Sequence, residues 1–115
     1  MILYGIPNCS TVKKARAWLD AHTIAHRFHD FKRDGLPEAA LQRWMAVHGW
    51  EAVLNRKGQT WRHFSDAQRA SVVDAATALA LMAINPSVIK RPILDREDSA
   101  TLGFSETTYA TLFGR

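Results

Sequence analysis

Cysteine occurs once in this chain, as Cys9, and it stands where a thiol can do chemistry. It follows a short apolar run, Ile2-Leu3-Tyr4, and a breaking loop, Gly5-Ile6-Pro7-Asn8. A helical pattern starts directly after it, at Ser10. The first turn of a helix presents N–H groups without intrahelical acceptors, and it is the positive end of the helix dipole. A thiol held there ionises more readily, and the thiolate is the nucleophile. Most free cysteines are buried and inert. The loop-to-helix position, beside the polar Asn8, Ser10 and Thr11, argues instead for a reactive one. Because no second cysteine exists, a mixed disulfide formed on Cys9 must be resolved by an external thiol.

A nucleophilic thiolate works beside cations and donors. Arg56, in Leu54-Asn55-Arg56-Lys57-Gly58, falls in a polar loop. Arg91, in Ile89-Lys90-Arg91-Pro92, falls between two apolar runs. Either guanidinium could hold an oxyanion or a carboxylate through its fork of donors. Pro92 lies at a strand junction and is a candidate for a cis peptide bond. The five histidines, His22, His26, His29, His48 and His63, have no cysteine or acidic partner at metal-ligand spacing, so no metal site is expected. The carboxylates are scattered and form no acid/base pair. Trp61 follows the Arg56 loop closely and is a candidate wall for an anion site.

The elements that must position these residues follow from the pattern of apolar side chains. Ile2 to Tyr4 reads as a first strand. Val12, Ala15, Trp18 and Leu19 recur at helical spacing over Ser10 to Ala21, with Asn8 and Ser10 as candidate caps. Ile24 to Phe28 reads as a second strand. Pro37 can open a helix whose apolar face carries Leu41, Trp44, Met45 and His48, and Gly49 stops it. Trp50 to Leu54 reads as a short helical segment, Asn55 to Thr60 as a loop, and Ser65-Asp66 as another helix start. Val72 to Ile84 is apolar over most of a helical circumference, which predicts deep packing, and Asn85-Pro86 ends it. Ser87 to Lys90 and Ile93 to Asp95 read as two short strands, followed by a charged turn over Asp95 to Ala100. A last helix runs from Ser105-Glu106 to about Phe113. The opening strand–helix–strand implies a parallel pair with a right-handed crossover, and the closing hairpin makes the sheet mixed.

Composition sets the frame. A chain of 115 residues, 47% hydrophobic with four Trp and five Phe, suggests one domain with a real core. The longest apolar run, Ala75 to Ile84, is too short to span a bilayer, and no signal-peptide pattern opens the chain. With a single thiol, a reducing cytoplasm is the expected compartment. The formal net charge of +4 suits a small anionic ligand. Basic residues are scattered and no groove-reading motif is present, so nucleic acid is not expected as a partner. A monomer is the default for so small a domain.

Four blocks then carry a resemblance. They are Tyr4-Gly5-Ile6-Pro7-Asn8-Cys9-Ser10-Thr11-Val12-Lys13-Lys14-Ala15, His29 to Leu36, Leu54 to Gly58, and Pro86 to Leu94. In this order they resemble the ArsC/Spx superfamily, and most closely its YffB-like, arsenate-reductase-like branch. The resemblance implies an α/β, thioredoxin-like mixed sheet flanked by helices over residues 1–115, with a helical insertion at about 36–84. It implies that Cys9 is the thiol that is arsenylated or that forms a mixed disulfide with glutathione. It places Arg56 and Arg91 at oxyanion-binding positions, and Pro92 at the cis-proline that flanks the thiol.

Three positions depart from the pattern. Gly5 stands where arsenate reductases of this type carry a His. Leu102 to Glu106 lacks the Arg they carry before the last helix, and Val12 stands where Spx regulators carry the second Cys of Cys-x-x-Cys. Each lost charged donor to a buried oxyanion costs about 1.5–3 kcal/mol. The leading expectation is therefore a glutathione-dependent thiol reductase. In it Arg56, Arg91, Asn8, Ser10 and Thr11 hold the substrate, glutathione is the co-substrate and no cofactor is bound. The alternatives are an arsenate reductase coupled to glutaredoxin or glutathione, and a non-enzymatic regulatory binding protein of the Spx kind.

Overall fold

A computed structural model describes all 115 residues of the chain. Contacts divide it into two units: Met1–Asp34 with Arg91–Arg115, and Gly35–Lys90. The first unit holds four strands, β1 (Ile2–Gly5), β2 (Arg27–Asp30), β3 (Ile93–Asp95) and β4 (Ala100–Leu102), in the order β2-β1-β3-β4. β1 pairs parallel with β2, from Ile2 opposite Arg27 to Gly5 opposite Asp30. It pairs antiparallel with β3, from Ile2 opposite Asp95 to Tyr4 opposite Ile93. β3 and β4 form an antiparallel hairpin. The mixed sheet expected from the sequence is present, and with its helices it is a thioredoxin-like fold.

The helix α1 (Ser10–Ala21) crosses between β1 and β2 and buries Val12, Ala15, Trp18 and Leu19, the residues picked out by spacing. Leu3 of β1, Leu94 of β3 and Tyr109 of the last helix, α7 (Glu106–Phe113), complete a core with Ala15, Trp18 and Leu19. Tyr109 meets Trp18 edge-on at 5.6 Å and Phe104 edge-on at 4.7 Å. Each fully buried large apolar side chain contributes about 1.5–3 kcal/mol.

The second strand starts three residues later than expected. The chain leaves α1 through Thr23 in a left-handed conformation (φ 56°), and the Ile24 N–H donates back to Leu19 O at 3.0 Å. Ile24 packs on the core from this turn, so the strand starts at Arg27. The closing hairpin is also displaced. Asn85 accepts from Ser87 N–H, Pro86 opens a 3₁₀ turn over Pro86–Val88, and only a single bridge, Leu54 with Ile89, forms there. The hairpin uses β3 and β4 instead, with the charged residues after Asp95 as its turn.

The second unit is helical: α2 (Glu38–His48), α3 (Trp50–Val53), α4 (Gln59–His63), α5 (Asp66–Ala70) and α6 (Ala75–Ile84). The polar loop expected over Asn55 to Thr60 gives way to α4 at Gln59. Arg69 ties α4 to α5 by donating to the carbonyls of Arg62, at 3.0 Å, and Phe64. The expectation of a deeply packed helix over Val72 to Ile84 is corrected in two respects. Asp74 and Thr77 form a capping box, so the helix starts at Ala75. Only Ala78, Leu81 and Met82 of it are buried. Its other face carries alanines that favour helix without requiring burial, so apolar character there did not mean depth. No helix of the chain is long and apolar enough to cross a membrane.

Candidate functional site

Cys9 is the N-cap residue of α1, with extended backbone (φ −146°, ψ 123°) and a half-exposed side chain. Its carbonyl accepts the first helical hydrogen bond, from Lys13 N–H at 2.9 Å. The expected capping by Asn8 or Ser10 is absent; no side chain caps this end. The first-turn N–H groups are thereby left to the sulfur, and those of Val12 and Thr11 donate to it. Partial burial pushes the thiol up. The Val12 N–H, the Arg91 guanidinium by hydrogen bond and by charge, and the Thr11 N–H together outweigh that, and hold the thiol below its ordinary value.

Arg91 reaches Cys9 because the sheet brings it there. Tyr4 of β1 lies opposite Ile93 of β3, so the residues just before Ile93 lie past the end of β1, where the Cys9 loop begins. The Arg91–Pro92 peptide bond is cis, Pro92 is buried, and Pro92 O accepts from Gly103 N–H at 2.8 Å. Ser10 and Asn8 flank the thiol with exposed side chains.

Arg56 belongs to the second unit. Its loop is tied down by Asn55 N–H to Val88 O at 2.7 Å and Lys90 N–H to Val53 O at 2.8 Å. Gly58 packs closely there: a Cβ on it would lie 2.7 Å from Asn55 Nδ2, so the Asn55 amide would have to shift. Arg56 sits over the Trp50 ring at 5.6 Å. It lines a cavity of about 450 Å³ together with Lys57, Lys90, Asn55 and Trp61, the last as its sequence position suggested. Three cations against one carboxylate, Glu51, suit that cavity to an anion.

Sequence reasoning missed a groove of about 700 Å³ between α1 and the start of α7. Thr11, Lys14, Trp18 and His22 line one side, and Phe104, Ser105 and Glu106 the other. Thr11, Lys14, Trp18 and His22 follow helical spacing and could have been read as one face, but the opposite wall comes from the far end of the chain. His, Asp and Glu side chains nowhere gather with Cys9 or each other in a metal-binding group.

A mixed four-stranded sheet with a thiol at the head of the first helix and a cis-proline just before an antiparallel strand defines a thioredoxin-like protein of the single-cysteine kind. Residues 4–112 match the ArsC family, and the chain belongs to it. It is 42% identical over 111 residues to a Haemophilus influenzae protein with no assigned function, covering 96% of both chains. It is 26% identical to the global transcriptional regulator Spx of Streptococcus pyogenes, over 98% of this chain and 84% of that one. Among solved structures, a YffB protein is 48% identical with a TM-score of 0.89, covering 96% of both chains. An arsenate reductase (ArsC) related protein from Brucella melitensis is 43% identical with a TM-score of 0.76, covering 99% of this chain and 94% of that one.

Proposed function

We propose that the protein is a glutathione-dependent thiol reductase with Cys9 as its nucleophile. The observation that carries this reading is the sulfur's setting: a half-exposed thiol with two helix N–H donors and the Arg91 guanidinium turned on it. Those groups favour thiolate over thiol, and the same donors stabilise the charge that gathers on sulfur during exchange. Cys9 would attack a disulfide or a glutathionylated substrate. Free glutathione would then resolve the mixed disulfide, because the chain has no second thiol. Asn8, Ser10 and Thr11 would orient the substrate beside the sulfur; Arg56, with Lys57 and Lys90, would hold an anion in the cavity of its own unit. A reducing cytoplasm suits this chemistry.

The test is reduction of a glutathionylated substrate with glutathione as electron donor. The expected result is turnover that vanishes in Cys9→Ser. Turnover equal to the Cys9→Ser control would reject the reading. Arsenate reduction is the weaker alternative, because Gly5 and the stretch Leu102 to Glu106 lack donors that the resemblance associates with that oxyanion. The same assay with arsenate, glutathione and glutaredoxin separates it. A regulatory role is favoured by one observation, the near full-length likeness to Spx. Its mark would be a protein partner retained by Cys9→Ser in a wild type without reductase activity.

A further inference from the structure

The groove between α1 and α7 has no part in holding glutathione as described above, yet it shares a residue with the thiol. Thr11 donates its backbone N–H to the Cys9 sulfur and also lines the groove. From Thr11 the groove follows one face of α1 past Lys14 and Trp18 to His22. Eleven residues of helix at 1.5 Å each make this about 16 Å. A tripeptide, fully extended, reaches about 10 Å, whereas about five residues are needed to run from the thiol to His22.

The lining states what could lie there. Trp18 and His22 stack with ring centres 3.8 Å apart, and Phe104 stands opposite, held edge-on by Tyr109. Ala17 and Ala21, both exposed and both small, leave the space between open. The rim carries one cation, Lys14, and one carboxylate, Glu106. That balance gives a polyanion no net attraction and suits an extended chain of no net charge, with backbone dipoles at the rim and an apolar side chain on the aromatic floor.

We propose that this groove docks an extended peptide segment of the substrate, carrying the disulfide that Cys9 attacks, with an aromatic or aliphatic side chain of that segment seated on Trp18, His22 and Phe104. The inference rests on the thiol-exchange reading and names its substrate class as glutathionylated protein rather than a small disulfide. The chemistry balances in two exchanges. Cys9 thiolate attacks the glutathione sulfur of the mixed disulfide. A new S–S bond forms as the old one breaks, and the peptide sulfur leaves as thiolate with the bonding pair and takes a proton from water. The peptide sulfur is reduced and Cys9 is oxidised. A second glutathione thiolate then attacks the glutathione sulfur held on Cys9, which releases Cys9 thiolate and forms glutathione disulfide.

The experiment measures the rate of Cys9 glutathionylation by two probes on the full chain. One is a glutathionylated hexapeptide with a Phe four residues from its cysteine, and the other is glutathione disulfide. Wild type is expected to prefer the peptide by about tenfold, the scale on which apolar pockets discriminate. Ala17→Trp and Ala21→Trp, which fill the groove from exposed positions, are expected to remove most of that preference. A rate ratio near one in wild type, or a ratio unmoved in both variants, overturns the groove while leaving the thiol chemistry intact. Inertness of Cys9 toward both probes overturns the thiol-exchange reading and the groove's role with it. A peptide with Ser in place of its cysteine provides a readout without chemistry. Amide shifts at Thr11, Lys14 and Phe104 are expected, and their absence overturns the docking.

Discussion

Gly5 and Val12 are fitted to one another: a Cβ placed on Gly5 would lie 2.9 Å from Cγ2 of Val12, which is itself fully buried. Two of the three departures from the family pattern are therefore one packing arrangement. Val12, which stands in place of a second cysteine, fills the space that a side chain at position 5 would enter. A buried β-branched residue has little freedom to yield. Gly5→Ala is expected to destabilise by about 1–3 kcal/mol, the usual cost of overpacking. The double variant Gly5→Ala/Val12→Ala should lose less than the sum of its parts, since each change relieves the other. Urea unfolding of the three variants measures this, and strict additivity would show that the contact is not what excludes a side chain here.

Arg91 sets a pH profile. The thiol is held below its ordinary value of 9.0, so thiolate persists to lower pH and alkylation of Cys9 should have its midpoint below that value. In Arg91→Ala the upward push of burial stays while a hydrogen bond and a charge are lost, so the midpoint moves up. The Val12 and Thr11 N–H donors remain, so the shift is partial. Arg91→Lys keeps the charge without the fork and should fall between. The measurement is iodoacetamide alkylation rate against pH. Identical midpoints in wild type and Arg91→Ala would sink the assignment of Arg91 as the thiol's cation.

Tyr109 is fully buried, and its hydroxyl has no hydrogen-bond partner. Burial also pushes its ionisation well above the ordinary tyrosine range. Tyr109→Phe removes an unsatisfied donor and keeps the edge-on contacts with Trp18 and Phe104, so stability should hold or rise. Tyr109→Ala opens a cavity in the same core and should cost about 3–5 kcal/mol. Thermal unfolding distinguishes them; a marked loss in Tyr109→Phe would mean that the hydroxyl has work the geometry does not reveal.

Asp34 closes the turn after β2. The Arg33 side chain and then the Asp30 N–H, at 2.9 Å, hold its carboxyl down to about 2. A depressed carboxyl contributes stability that is complete above its unfolded value and is lost as pH falls through the folded one. The window is therefore from about 3.8 down to about 2. Arg33→Ala should raise the Asp34 midpoint in a carboxyl-carbon NMR titration and move the loss to higher pH. An unchanged midpoint would transfer the effect to the Asp30 N–H alone.

Much of this was legible in the sequence where the signal is local. The β1–α1 junction announces itself through an apolar run, a Pro-Asn break and helical spacing, and these local signals place Cys9 at a helix start. The hairpin was misplaced because Ser87 to Lys90 carries strand-like residues, while Asn85 and Pro86 spend the same stretch on a 3₁₀ turn. Turn chemistry won over side-chain preference. The alanines of α6 misled in another way, since an apolar residue is not always a buried one. The Thr11–Phe104 groove was out of reach because no pattern within one segment joins α1 to the residues before α7. Arg91 was a candidate by type, but its approach to Cys9 needs the β1–β3 register.

That register has a consequence for where in the chain the thiol's chemistry is fixed. The pairing of Tyr4 with Ile93, within one unit, delivers Arg91 to the thiol, whereas the intervening Gly35–Lys90 segment forms a unit of its own. No residue of that segment takes part in the strand ladder that keeps the sulfur and its guanidinium in step. The acid strength of the thiol is thus set inside one unit, by the first turn of α1, which supplies the Val12 and Thr11 N–H groups, and by the strand pairing that carries Arg91.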